Sequence, residues 1–317
     1  MNQPPVFIVG CDRSGTTLLS LILSQSPDLH VTLESGFIPD LFENKNDYRD
    51  FSSAKDRWYF IRDLQQTRAT SKTIAFDIFE MSDDEAEMEL RQPAANTYEN
   101  AIDALFTKTA DLHGKSRWGN KTPKYVLHLP LIHELFPHAK IIHVIRDPRD
   151  VVASILKAGW TSTVKETARY WEERVLAGIR DGRKLGDDRY YELKYESLLQ
   201  KPGDVTRQIC DWLSIGFDID FIQDYKQDDN RSSIVKHEEL FDLIGKPIDP
   251  SRAYAWKKNM AKADVAEIEQ VTGDLIETLG YEITGHSVPV GRKLYRWTFD
   301  TMLETGQKLG KTIGKKL

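Results

Sequence analysis

Cysteine is scarce in this sequence, which has only Cys11 and Cys210 among its 317 residues. Two isolated thiols provide neither a disulfide framework nor the spacing of a metal site, so we predict no bound metal. Long apolar runs are also absent, since no segment approaches the ~18 residues that a membrane-spanning helix needs. The first residues lack the basic and apolar segments of a secretion signal. Together these absences predict a cytoplasmic protein.

An excess of positive charge is missing as well, because 43 Lys and Arg residues against 49 Asp and Glu residues give a net charge of −6. This balance argues against a protein that binds nucleic acid through its overall charge. Residues 286–317 differ, since seven basic and two acidic residues give them +5 and leave −11 on the rest. Apolar residues are interspersed there, which predicts a basic amphipathic tail. It would lie on an anionic membrane surface, on a partner chain or on its own domain.

The sequence does contain an alternation of strand-like and helical patterns. Strands are predicted at residues 6–9, 31–33, 140–145 and 189–194, and helices at 16–24, 163–184, 202–213 and 263–279. Residues 118–121 are interpreted as a turn that leads into a helix over 122–136. This alternation predicts an α/β fold, with a P-loop-type parallel sheet flanked by helices. Residues 1–285 would form this single domain, with a mostly helical insert at about 43–115.

A glycine-bearing loop, G-C-D-R-S-G-T-T, follows the first strand at residues 10–17. Gly10, Gly15 and Thr17 fit the phosphate-binding pattern G-x-x-x-x-G-K-[ST], but Thr16 replaces the lysine that reaches the outer phosphates of a triphosphate. Backbone N–H groups and the start of the next helix would still bind an anion. Arg13 adds a cation, and the loop hydroxyls add donors from Ser14, Thr16 and Thr17. The alternative is a turn that binds no ligand.

Five segments of the chain, in order, resemble the sulfotransferase family, whose members take a sulfonate group from 3′-phosphoadenosine 5′-phosphosulfate (PAPS). They are R-S-G-T-T-L-L at 13–19, S-P-D-L-H-V-T-L-E at 26–34, W-G-N-K-T-P at 118–123, F-P-H-A-K-I-I-H-V-I-R-D-P-R-D-V-V-A-S at 136–154 and L-K-Y-E-S-L-L-Q-K-P at 193–202. The resemblance is closest to the tyrosylprotein sulfotransferases and their bacterial relatives. It implies PAPS as the donor, 3′-phosphoadenosine 5′-phosphate (PAP) as the product and a hydroxyl-bearing acceptor.

The resemblance implies that Arg146 and Ser154 bind the 3′-phosphate. Arg146 follows a predicted strand at the carboxyl edge where such sheets bind ligands, and Ser154 lies about two helical turns further on. The alternative for Arg146 is a surface ion pair with Asp147 or Asp150.

Three further donor contacts follow from the same resemblance. Tyr195 would lie near the adenine, although an aromatic ring there could also fill the core. Ser233 and Arg252 are later candidates for the 3′-phosphate. The R-K-G-x-x-G-D-W pattern of the cytosolic branch is missing, and only S-R-A-Y-A-W-K-K at residues 251–258 suggests an equivalent.

Glu34 is the predicted base, because it follows a predicted strand near the loop and matches the segment that carries the family's catalytic glutamate. Lys121 would stabilise the leaving oxygen and a sulfonate oxygen, assisted by Arg13. The alternatives are a surface carboxylate or helix N-cap for Glu34 and a solvated lysine for Lys121. Histidines are weaker candidates for the base, with His143 expected in the core; they are His30, His128 and His143.

The predicted function is therefore a PAPS-dependent sulfotransferase that acts on a small molecule, carbohydrate, lipid or tyrosyl hydroxyl. One alternative is a P-loop kinase or NTPase, against which Thr16 argues. Another is a nucleotide-binding protein without catalytic activity. The acceptor is not specified by these motifs, and we expect the insert at 43–115 to form its pocket.

Overall fold

The computed structural model describes residues 3–48, 50–70, 78–224 and 246–285. Five parallel strands form one sheet in the order β2-β3-β1-β4-β5. The strands are β1 (Val6–Gly10), β2 (Leu29–Thr32), β3 (Arg117–Lys121), β4 (Lys140–Ile145) and β5 (Tyr190–Lys194). Strand β1 is central, with Ile8 opposite Lys121 on one side and Ile142 on the other. The predicted α/β fold with a parallel sheet is confirmed.

Helices connect and cover the strands. In the first half of the chain they are α1 (Thr16–Leu23), α2 (Phe37–Phe42), α3 (Ala54–Thr70), α4 (Asp83–Leu90), α5 (Tyr98–Leu112) and α6 (Leu129–Leu135). In the second half they are α7 (Pro148–Lys157), α8 (Val164–Gly182), α9 (Tyr195–Gln200), α10 (Pro202–Leu213), α11 (Phe221–Asp224), α12 (Trp256–Asn259) and α13 (Lys262–Thr278). In the described ranges, none of these helices is long and apolar enough to cross a bilayer.

Strand β3 corrects the interpretation of residues 118–121 as a turn. It has no apolar run, because Arg117, Asn120 and Lys121 are polar although all three are buried. The segment after it also differs from the single helix predicted over 122–136. A 3₁₀ helix, Pro123–His128, comes first, and α6 starts separately with Pro130 in its first turn. Proline lacks an N–H and fits only the first turn of a helix, which explains this division.

The two faces of the sheet carry separate parts of the core, because side chains alternate along each strand. Phe7 and Val9 of β1 belong to a cluster with residues of α2–α6, where Phe106 stacks on Trp118 with ring centroids 4.7 Å apart. The opposite face of β1 packs with residues of α1, α9 and α10. Helices α7, α8 and α13 contribute to a further cluster beside the end of β4. Because helices cover both faces of the sheet, the carboxyl edge is where the loops after the strands lie.

Candidate functional site

The carboxyl ends of all five strands carry residues that the sequence assigns to the site. The loop at 10–17 follows β1, Glu34 lies two residues after β2, and Lys121 is the last residue of β3. Arg146 follows directly after β4, and Tyr195 follows directly after β5. Because the strands are parallel, these ends lie along one edge of the sheet, which is where ligands bind in folds of this kind.

Close packing requires glycine at two positions of the loop. A Cβ atom on Gly10 would lie 2.4 Å from the carbonyl oxygen of Val144. Gly15 has φ +92° and precedes α1, and a Cβ atom there would lie 2.2 Å from the ring of Tyr195. The loop is therefore held against β4 on one side and against the first residue of α9 on the other.

Arg13 and Ser154 are brought together although they are far apart in the sequence. Arg13 has a left-handed backbone with φ 66°. Its Nε donates a hydrogen bond to Ser154 Oγ at 3.0 Å, and its guanidinium lies 5.9 Å from the ring centre of Trp160. Burial lowers the pKa of Arg13, and the nearby charge of Arg146 lowers it further. The guanidinium thus lies at the α7 side of the loop.

Arg146 connects the loop with Arg252, and Arg13, Arg146 and Arg252 are here called the arginine cluster. Its Nη1 donates to the carbonyl oxygen of Arg13 at 3.0 Å, and its guanidinium lies 4.7 Å from the ring centre of Tyr195. Its Nη2 lies 3.5 Å from the carbonyl oxygen of Arg252 and 3.9 Å from Asp150 Oδ2. The alternative of an ion pair with Asp150 is therefore also present, but in a largely buried site, since the Arg146 side chain is 13% exposed.

Buried polar atoms without a hydrogen-bond partner concentrate at this cluster. The described residues contain eight such side-chain atoms, and four of them belong to residues of the loop, of α7 and α8 or of the strand end; they are Ser14 Oγ, Arg146 Nε, Asp150 Oδ2 and Arg174 Nε. Native proteins rarely leave buried donors unpaired, because each one costs free energy. Three of these four atoms are hydrogen-bond donors, and Asp150 Oδ2 is an acceptor. The sequence analysis considered Asp150 only as an ion-pair partner of Arg146.

Glu34 and Lys121 form an ion pair, with Lys121 Nζ 2.6 Å from Glu34 Oε1. The Lys121 side chain is 1% exposed, so it is not the solvated lysine of the alternative interpretation. Glu34 is 31% exposed and does not cap the next helix, because the N-cap of α2 is Gly36. The two residues proposed as base and as leaving-group stabiliser therefore contact each other.

The histidines have different positions. His143 is fully buried in β4, with Nδ1 2.6 Å from the hydroxyl oxygen of Tyr190, and burial lowers its pKa to about 3. It is a core residue, as predicted. Burial also lowers the pKa of His128, with a further contribution from Lys124. His128 lies at the end of the 3₁₀ helix that follows Lys121.

One group of potential metal ligands occurs in the described part of the chain, formed by His30, Glu80 and His113. The rings of His30 and His113 are stacked, 3.9 Å apart and within 10° of parallel, and His113 Nε2 lies 2.9 Å from Glu80. A metal ion binds in the plane of an imidazole ring, and two stacked parallel rings do not share such a position. Binding would require the rings to rotate apart, so the absence of a metal stays a prediction.

Two predicted features lie outside the described residues. They are Ser233 and the basic tail at 286–317. Arg252 is described, at the end of the 3₁₀ helix Pro250–Arg252, and its backbone carbonyl faces Arg146. Trp160 was missed by the sequence analysis because a lone aromatic residue after a helix gives no motif.

The family model described as "Sulfotransferase family" matches residues 4–218. Protein-tyrosine sulfotransferase A of Caenorhabditis elegans is 24% identical over 289 residues, covering 89% of this chain and 68% of that protein. Protein-tyrosine sulfotransferase of Drosophila melanogaster is 23% identical, with 89% of this chain matching 52% of its length. Omega-hydroxy-beta-dihydromenaquinone-9 sulfotransferase Stf3 of Mycobacterium bovis is 28% identical, over 68% of this chain and 63% of that protein.

Solved structures share the fold. The sulfotransferase domain of the Synechococcus PCC 7002 olefin synthase superposes with a TM-score of 0.63, at 22% identity, over 89% of this chain and 97% of that domain. The sulfotransferase domain from the curacin biosynthetic pathway gives a TM-score of 0.61, at 18% identity, over 89% of this chain and all of that domain. At these identities the likeness concerns the fold.

Proposed function

Because the chain belongs to the sulfotransferase family, we propose that it transfers a sulfonate group from PAPS to a hydroxyl group of an acceptor. The observation that carries this proposal is the arrangement of the five strand ends. They bring a glycine loop, an arginine cluster and a lysine–glutamate pair to one edge of the sheet. These are the three components that the reaction needs: an anion site, cations for the leaving group and a base.

The donor would bind across the loop and the arginine cluster. The 5′-phosphosulfate would lie on the backbone of residues 10–17, where Thr16 leaves no lysine for a triphosphate. The 3′-phosphate would lie against Arg146 and Ser154, beside the ring of Tyr195. Burial of Arg146 supports this role, because charge-assisted hydrogen bonds are stronger away from water.

The chemistry would use the lysine–glutamate pair. Glu34 would take the proton of the acceptor hydroxyl while the acceptor oxygen forms a bond to sulfur. The bond between sulfur and the 5′-phosphate oxygen would break, and Lys121 would donate a hydrogen bond to that leaving oxygen. Lys121 Nζ lies 2.6 Å from Glu34 Oε1, so the ammonium would bond the leaving oxygen through another of its three N–H groups.

The acceptor would lie beside Glu34 and the helices that follow it. The turn that carries Glu34 leads directly into α2, the short helix just before the predicted insert at 43–115. We therefore propose that the insert borders the acceptor, as part of a single domain over 1–285. The curated relatives are named for tyrosyl and for ω-hydroxy-menaquinone acceptors, so both a phenol and a primary alcohol are suitable first candidates.

The donor assignment can be tested by thermal unfolding in the presence of nucleotides. PAP should raise the melting temperature more than ADP or ATP at the same concentration, because a ligand that binds the folded state more tightly stabilises it more. Equal or greater stabilisation by ATP would refute the proposal and favour a P-loop kinase or NTPase. Such an enzyme would also turn over ATP in the presence of magnesium.

The reaction itself can be tested by a mass-detected screen of phenols, primary alcohols and tyrosyl peptides with PAPS. Glu34→Ala should lower transfer at least about tenfold and leave the affinity for PAP largely intact, because the proposed role of the carboxylate is in the chemical step. Binding of PAP without transfer to any acceptor would instead favour a nucleotide-binding protein without catalytic activity.

A further inference from the structure

Side chains of β3 and of the 3₁₀ helix after it hold the turn that carries Glu34. Asn120 Nδ2 donates to Thr32 Oγ1 at 3.0 Å and to the carbonyl oxygen of Leu33 at 3.1 Å. Asn120 Oδ1 in turn accepts a hydrogen bond from Thr122 Oγ1 at 2.7 Å. The residues immediately before Glu34 are thereby tied to those on either side of Lys121.

The residues immediately after Glu34 are tied to the same segment. The backbone N–H of Ser35 donates to Thr122 Oγ1 at 3.1 Å, and Ser35 Oγ lies 2.8 Å from the hydroxyl oxygen of Tyr125. That hydroxyl oxygen also accepts from the backbone N–H of Ile38 at 3.2 Å. Asn120, Thr122 and Tyr125, here called the clamp, are all buried, with at most 2% exposure.

The clamp forms hydrogen bonds with residues before and after Glu34 but not with its carboxylate. The carboxylate contacts Lys121 Nζ, and the Glu34 side chain is 31% exposed. Gly36, with φ +66°, would otherwise let this short connection between β2 and α2 take several conformations. The hydrogen bonds therefore restrict where a partly exposed carboxylate can lie.

We propose that the clamp residues are positioning residues that set the place of Glu34 relative to the acceptor hydroxyl. The proposal rests on the proposed function, with Glu34 as base. A base has to lie within about 2.6–3.2 Å of the proton that it removes. A displacement of about 1 Å can cost a factor of about 100 in rate. Six hydrogen bonds around this turn would keep the Glu34 carboxylate within such a distance of its target.

Tyr125→Phe tests the proposal, because it removes one hydroxyl and keeps the buried ring. We expect kcat to fall about tenfold, while the KM for PAPS and the affinity for PAP change less than twofold. Tyr190→Phe is a matched control, since the Tyr190 hydroxyl is also buried, lies 2.6 Å from His143 Nδ1 and belongs to β5, at the opposite edge of the sheet from β2. It should lower thermal stability comparably but keep kcat within twofold.

A double-mutant cycle separates positioning from general destabilisation. If Tyr125 acts through Glu34, then Tyr125→Phe should have no further effect on kcat in a Glu34→Ala background. A full tenfold effect in that background, or equal kcat losses in the Tyr125→Phe and Tyr190→Phe proteins, would overturn the proposal. Should Tyr125→Phe fail to fold, Ser35→Ala removes the partner of the same hydrogen bond and should lower kcat in the same selective way; unchanged kcat there would also overturn it.

The outcome remains distinguishable from failure of the proposed function. If the wild-type chain transfers sulfonate and Glu34→Ala retains full activity, the assignment of the base is wrong. If wild-type protein binds PAP but sulfonates no acceptor, the proposed function is wrong. The clamp alone is refuted when transfer depends on Glu34 but not on Tyr125.

Discussion

Replacing Arg146 with lysine should weaken the binding of PAP selectively. The side chain is 13% exposed and contacts the carbonyl oxygen of Arg13 and the ring of Tyr195, while Arg13 in turn bonds Ser154. Lysine keeps the charge next to buried Asp150, 3.9 Å away, whereas alanine would leave that carboxylate uncompensated and destabilise the protein. Lysine loses the planar fork that makes two parallel bonds to a phosphate.

The expected magnitude follows from the loss of one charge-assisted hydrogen bond in a buried site. Such a bond contributes about 1.5–3 kcal/mol, which corresponds to roughly a 10- to 100-fold increase in the Kd for PAP. Adenosine 5′-phosphate lacks the 3′-phosphate, so its Kd should change less than about twofold. Isothermal titration calorimetry with both nucleotides measures the change in each Kd.

A suitable control is Arg180→Lys, since Arg180 lies on α8 with a side chain that is 49% exposed and pairs with Asp181. This change should alter neither Kd. Equal losses for PAP and adenosine 5′-phosphate in Arg146→Lys would refute the assignment of Arg146 to the 3′-phosphate. They would show that Arg146 acts by supporting the loop through its bond to the carbonyl oxygen of Arg13.

Three further predictions concern the loop, the lysine and the core. Gly15→Ala should raise the Kd for PAP more than about tenfold in titrations, because its Cβ would lie 2.2 Å from the Tyr195 ring; Gly159→Ala, at φ +70° with open space around it, should leave that Kd unchanged. Lys121→Met should lower single-turnover transfer at least about tenfold, and an unchanged rate would remove Lys121 from the mechanism. Burial lowers the pKa of His143 from 6.5 to about 3, so the unfolded chain binds more protons than the folded one between these values. Stability should therefore fall as pH drops through this window, by up to about 1.4 kcal/mol per unit, and urea midpoints of His143→Gln should show a shallower slope.

Strands with apolar runs and helices with clear ends were predictable from the sequence. The spans of α1 and α10 agree with prediction to within a residue, because both have an apolar stripe and α10 has a proline at its first position. β3 was not predictable in this way, since Arg117, Asn120 and Lys121 are polar but buried. Their burial depends on hydrogen bonds to distant parts of the chain, such as the Arg117 guanidinium donating to the Leu213 carbonyl at 2.7 Å. Local pattern carries no signal for such contacts.

The missed strand also explains what was missed in the candidate site. Glu34 and Lys121 were predicted separately, with no indication that they touch. Their contact depends on the parallel register of β2 and β3, in which Thr32 lies opposite Asn120. Once that register is known, the residues after both strand ends become neighbours. The direction of the Arg13 side chain could not be predicted either, because it depends on a left-handed φ of 66° that arginine rarely adopts.

The order of the strands places two contiguous stretches of chain on opposite sides of the loop at 10–17. β2 and β3 lie on one side of β1, so residues 29–135 carry the proposed base, the proposed lysine and the predicted insert. β4 and β5 lie on the other side, so residues 140–200 carry the proposed 3′-phosphate and adenine contacts. The choice of acceptor and the binding of the donor would then depend on different segments of the chain. A chimera that exchanges only residues 29–135 with a relative should change the acceptor while it keeps the affinity for PAP.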